Sequence, residues 1–144
     1  MQSVQESAAP IEQTHRFLQL VHGCLFFAAF LYIFIVHLIP VQRSEALNSA
    51  FLVGCAIVAL ADLAIATVVR SRRLRPALET LRTSPEDAHA LALWRQGSIL
   101  SGIQAMTVVL FGMALHFVGA PAWQVVSFFA VGMAVMLLWW PQRP

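Results

Sequence analysis

Apolar residues run along this chain in four long, nearly unbroken stretches, at about 17–39, 47–69, 97–119 and 122–140, with the polar residues gathered between them. A hydrocarbon layer about 30 Å thick takes roughly 20 apolar residues wound as a helix, and each stretch is of that order. None shows the apolar-polar alternation of a barrel strand, and backbone in lipid must satisfy its own hydrogen bonds, so helices are the economical solution. The pattern predicts an all-α fold: a polytopic membrane protein in which 1–144 form a single membrane domain, a four-helix transmembrane bundle.

The polar stretches predict the turns. In "TSPED" (83–87), Ser84 is placed as an N-cap, Pro85 as the first helical residue, and the acids sit at the positive end of the helix dipole. "ALETLR" (77–82) either continues the second helix or lies at the interface, giving a short cytoplasmic helical hairpin. "IPVQRSEAL" (39–47) and "VGAPAW" (118–123) read as tight external turns, with Ser44 and Pro121 starting the helices that follow.

The two halves of the chain are alike. Laying 16–40 over 95–121 matches Arg16 with Arg95, Gly23 with Gly102 and His37 with His116 at one offset, and "FLVGCAIVAL" (51–60) lies over "FAVGMAVMLL" (129–138) with the offset changed by one residue. This predicts a tandem pair of helical hairpins, repeat one at about 10–82 and repeat two at about 84–141, joined by a cytoplasmic connection at about 70–95. Two helices per repeat insert both copies the same way round, so a symmetry axis would run along the membrane normal.

Composition agrees, with charged residues at 11% of the chain against about 25% in soluble domains. All nine basic residues are arginines. Eight flank the predicted inner ends, and only Arg43 lies on the other side, which predicts both termini and the central connection in the cytoplasm; the lack of lysine points to a GC-rich bacterial genome, and so to a bacterial inner membrane. Arg70, Arg72, Arg73 and Arg75 also form a cluster suited to anionic lipid headgroups. Glu6 and Glu12 before the first span, with Arg16 abutting it, fit a retained helix better than a cleavable signal. Cys24 and Cys55 fall about 10 Å apart in depth, too far for a disulfide.

Candidate chemistry lies in the polar residues inside the spans. His22, Asp62, Ser98, Ser101 and Gln104 enter one layer in the cytoplasmic third of the bundle, on arcs that should face protein. An acid in lipid costs roughly 2.5 kcal/mol or more when charged, so Asp62 either pairs, with His22 as the expected partner, or stays protonated. The group is either a polar clasp that fixes helix register or a proton- or ion-exchange site. His37 and His116 are expected at the outer ends of spans one and three, as interfacial anchors or as ligands of a haem or metal. Gly54, Gly102 and Gly112 are expected at close helix contacts, and Trp94, Trp123, Trp139 and Trp140 at the span ends.

"AMTVVLFGMAL" (105–115), together with the duplicated hairpin, resembles the hairpin proteolipids of rotary ATPases, and more specifically small uncharacterised bacterial four-helix membrane proteins with proteolipid-like helices. Phe111 and Gly112 match the family's aromatic-glycine pair, while Met106 stands where the family carries its carboxylate. The resemblance implies fold and ancestry; the rotor's proton would have no carrier at that place, and the expected topology is inverted relative to a rotor hairpin.

No nucleophile with its base, metal-ligand cluster, phosphate-binding loop or redox cysteine pair stands out. The chain is therefore expected to be a non-enzymatic accessory or scaffolding subunit without a cofactor, associating with lipid and with itself or a larger membrane complex, and not with nucleic acid. A small proton- or ion-conducting or transporter unit built on Asp62 and His22 is the alternative, and a haem- or quinone-binding electron-transfer subunit the third.

Overall fold

The computed structural model describes residues 2–41 and 49–144, with side chains from residue 10 onward; Arg43 and Ser44 lie outside the described residues. Helix α1 runs Gln2–Leu38, α2 Ser49–Val69, α3 Arg75–Thr83, α4 Ala88–Phe117 and α5 Ala122–Leu138. A π-helical segment, Arg70–Leu74, joins α2 to α3 without a break. No strand occurs among the described residues. Three runs, Pro10–Leu38, Ser49–Thr83 and Ala88–Phe117, are long and apolar enough to cross a membrane.

The fourth expected span is shorter than its sequence suggested. At 17 residues α5 covers about 26 Å. Its end is set by Pro141, which disfavours helical backbone at the residue before it, so the chain leaves the helix at Trp139 and Trp140. The start of α4 also differs from expectation. Asp87, not Ser84, is the N-cap: its backbone is extended (φ −69°, ψ 98°) and its carboxylate accepts from the amides of His89 and Ala90 at 2.9 and 3.0 Å. Ser84 and Pro85 instead form the turn before it, closed by the amide of Asp87 on the carbonyl of Ser84. Pro121 does occupy the N-cap of α5.

Helix α4 stands in the middle. Cα pairs within 8 Å join it to every other element and join α1 to α5, but among the described residues none joins α1 to α2 or α2 to α5. The two halves therefore pack differently: α4 and α5 lie against each other, whereas α1 and α2 flank α4 without meeting. At about 100° per residue, α5 covers the arc of α4 bearing Ala105, Val109 and Gly112, α1 the neighbouring arc at Gly102, and α2 the arc at Gln104.

Two apolar cores result. The first gathers Ala29, Cys55, Ala105, Met106, Val109, Leu115, Val125 and Phe129 from α1, α2, α4 and α5. The second, at the arginine-rich end, gathers Leu18, Leu74, Ala77, Leu81, Ala90 and Trp94. Trp94 is 1% exposed there, so it is a core residue and not a lipid-facing anchor.

Packing between α4 and α5 is closest at Gly132, where an added Cβ would sit 2.5 Å from Val109 Cγ2 and 3.1 Å from the carbonyl of Ala105. Gly132→Val should lower stability by about 1–3 kcal/mol through overpacking. Gly54→Ala, with no atom within 4 Å of its Cβ position, should not. Reversible unfolding of both variants in mild detergent measures the difference.

Candidate functional site

The polar side chains of the bundle divide between two flanks of α4. On one flank His22, 2% exposed, packs its imidazole against Gly102: a Cβ on Gly102 would meet His22 Nε2 at 3.2 Å and Leu25 Cδ1 at 3.0 Å. The ring also meets Trp140 edge to face, centroids 6.0 Å apart. His22 Nδ1 donates to the carbonyl of Leu18 at 3.2 Å, which assigns the proton to Nδ1 and leaves Nε2 a bare acceptor without a partner. Seven residues, about two turns, earlier on the same face, buried His15 stacks on Trp94 with rings 10° from parallel.

On the other flank, Gln104 Nε2 donates to Asp62 Oδ1 across 3.4 Å, a long hydrogen bond. Gln104 lies about 200° round α4 from Gly102, so the body of α4 separates Asp62 from His22. The expected Asp62–His22 pair is therefore not formed; sequence placed both at one depth, but depth says nothing about which side of a third helix a residue reaches. Asp62 Oδ2 and Gln104 Oε1 are both buried without a partner. A proton on Asp62 Oδ2, donated to Gln104 Oε1, would satisfy both atoms and close a two-bond acid-amide ring.

Ser101 Oγ donates to the carbonyl of Gly97 at 2.8 Å within its own helix instead of joining a network, and Ser98 is buried near it. At the far end His116 Nε2 donates to the carbonyl of Ile39 at 2.9 Å, tying α4 to the end of α1, while His37 is exposed. Cys24 is exposed, Cys55 is buried, and both are free thiols. Among the described residues no three His, Cys, Asp or Glu side chains converge as metal ligands would.

Of the glycines expected at helix contacts, Gly102 faces His22 and Leu25, and Gly112 faces Phe128, Val125 and Phe129. Gly54 differs: it is exposed on α2 with open space beyond it. Arg72, Arg73 and Arg75 are exposed and Arg70 half-buried around the π segment. Sequence reasoning missed His15 and Gly132. The seven-residue spacing of His15 and His22, which puts both on one helix face, was the available signal for the first. No family model, curated protein or solved structure matches this chain.

Double-mutant cycles separate the two flanks. His22→Phe and Asp62→Asn should add to within about 0.5 kcal/mol. Gln104→Leu and Asp62→Leu should couple, by about 0.6 kcal/mol as membrane hydrogen bonds do on average. Asp62→Asn alone should be tolerated, because an asparagine can both donate to Gln104 Oε1 and accept from Nε2.

Proposed function

We propose that this chain is a non-enzymatic integral membrane protein of the bacterial inner membrane, with its termini and arginine-rich end in the cytoplasm, acting as an accessory or scaffolding subunit. It associates laterally with a second copy or a larger membrane complex, and its two halves descend from one duplicated hairpin. The observation that carries the reading is the state of α2. This helix buries only Cys55, Ala59 and Ala66 and leans on α4 alone. Its outer side presents Gly54 and Ala61 among exposed Ile57, Val58 and Ile65. Small residues flanked by branched ones let a neighbouring backbone come close, and in lipid such contact is the main source of helix association.

The test is Gly54→Leu. Because nothing stands within 4 Å of its Cβ position, the variant should unfold like the wild type while losing its assembly, read by light scattering in detergent or by crosslinking in membranes. Retained assembly would remove α2 as the contact surface.

A second reading, a proton- or ion-handling unit, draws support from the unpartnered Asp62 Oδ2 and Gln104 Oε1, with His22 now outside the group. Infrared difference spectra with Asp62→Asn as the control distinguish the two. A carboxyl band that responds to bulk pH between about pH 5 and 8 favours proton exchange. A band indifferent to pH in that interval is expected of a sealed clasp.

A further inference from the structure

Because the backbones of α1 and α2 flank α4 without approaching each other, one side of α4 is left exposed between them. Leu100, Ile103 and Leu110 occupy this side, on an arc about 80° wide between the α1 and α2 contacts, and are 41%, 50% and 38% exposed. From its middle to its far end the cleft is apolar apart from Thr107, whose hydroxyl donates to the carbonyl of Ile103 at 3.1 Å within its own helix. At the arginine-rich end its mouth is polar and concave. A cavity of about 310 Å³ opens there, lined by Gln13, Thr14, Phe17 and Arg95. Gln13, Thr14 and Phe17 lie on the flank of α1 turned away from His22 and Trp140, which is the flank toward α2.

The charge at this mouth is uncompensated. Arg95 lies over the ring of Phe17, 5.1 Å from its centroid, and among the described residues no carboxylate pairs with it. Arg16, one turn away on α1, is by contrast tied to Glu12 at 2.6 Å. A guanidinium lying over an aromatic face makes no hydrogen bond to the ring, so its N–H groups are left to meet the oxygens of a phosphate. The Gln13 amide and Thr14 hydroxyl add neutral donors. An anion site at the mouth of an apolar cleft matches one class of molecule, an amphiphile with a phosphate head and a hydrocarbon tail.

We infer that the cleft holds one anionic glycerophospholipid, its phosphate at Arg95 with Gln13 and Thr14, and an acyl chain laid along Leu100, Ile103 and Leu110 between α1 and α2. The site is separate from the arginine cluster at 70–75, none of which lines this cavity. The inference rests on the membrane reading above. The lipid would fill the space that α1 and α2 leave over α4, so the bound molecule is a structural part of the bundle.

The test is native mass spectrometry of the chain released from mild detergent, titrated with phosphatidylglycerol, phosphatidylcholine or glycerol phosphate. The expected result is one retained phosphatidylglycerol per chain, weaker retention of phosphatidylcholine and none of glycerol phosphate. Arg95→Gln should lower phosphatidylglycerol retention about tenfold, the scale of one lost charged contact, with unchanged helical content. Ile103→Trp, which fills the cleft, should lower it without removing a charge. The combined variant Arg70→Gln, Arg72→Gln, Arg73→Gln and Arg75→Gln should retain the lipid. Equal retention by Arg95→Gln and wild type, or loss in the combined variant alone, overturns the site. Glycerol phosphate binding as tightly as the lipid overturns the acyl cleft. A chain recovered without detergent in the soluble fraction overturns the membrane reading itself, whereas an embedded chain without retained phosphatidylglycerol overturns only the lipid site.

Discussion

Every other element leans on α4, and three of them, α1, the π segment and α5, reach it where one partner carries no side chain. Leu74 settles on Gly97, His22 and Leu25 on Gly102, Phe128 and Phe129 on Gly112, and Val109 of α4 itself fits over Gly132 of α5. In the bilayer proposed for this chain, burial of apolar groups would give no advantage over lipid, and the attraction left would be dispersion between surfaces in close contact and a few hydrogen bonds. Glycine at the contact is what makes that distance reachable. The positions of α1, α5 and the π segment follow from these points of approach, while α2 meets α4 at Asp62 and Gln104.

The same arrangement decides what the buried polar groups can do. A central helix with partners on both sides divides its polar residues between interfaces that do not communicate. His22 belongs with Trp140 and the chain that follows α5; Asp62 belongs with Gln104. Among the described residues neither group belongs to a cluster of three or more His, Cys, Asp or Glu side chains, and each could be completed by a single proton or by donor placement. Such isolated pairs fix register more readily than they carry a relay.

Much of the helical layout is legible in the sequence because long apolar runs allow no other economical backbone. The number of helical rods, their order, the Pro121 start of α5 and the gathering of arginines at one end follow from local composition and turn chemistry. The cap of α4 is less legible, since "SPED" offers two good capping residues three apart and only the tertiary position of the turn chooses Asp87. The site is less legible again. Depth along a helix can be counted from sequence, so His22 and Asp62 are assigned to one layer; azimuth around a third helix cannot, and it is azimuth that parts them. Trp94 shows the same limit: an aromatic at the end of an apolar run looks like an interfacial anchor until α3 folds over it.

The π segment between α2 and α3 has a consequence for phase. Counted at about 100° per residue, Leu74, Ala77 and Leu81 are centred about 50° further round than Cys55, Ala59 and Ala66, so in an uninterrupted α-helix the second set would turn partly off the line of the first. The amide of Arg75 instead bonds the carbonyl of Arg70, five residues back, and the wider turn delays the winding enough to bring the two sets nearly into line. The segment acts as a vernier between two stretches of one rod. Its five residues are mostly arginines because a loosened turn sits best where its exposed side chains are long, charged and free to spread, while Leu74 alone turns inward onto Gly97.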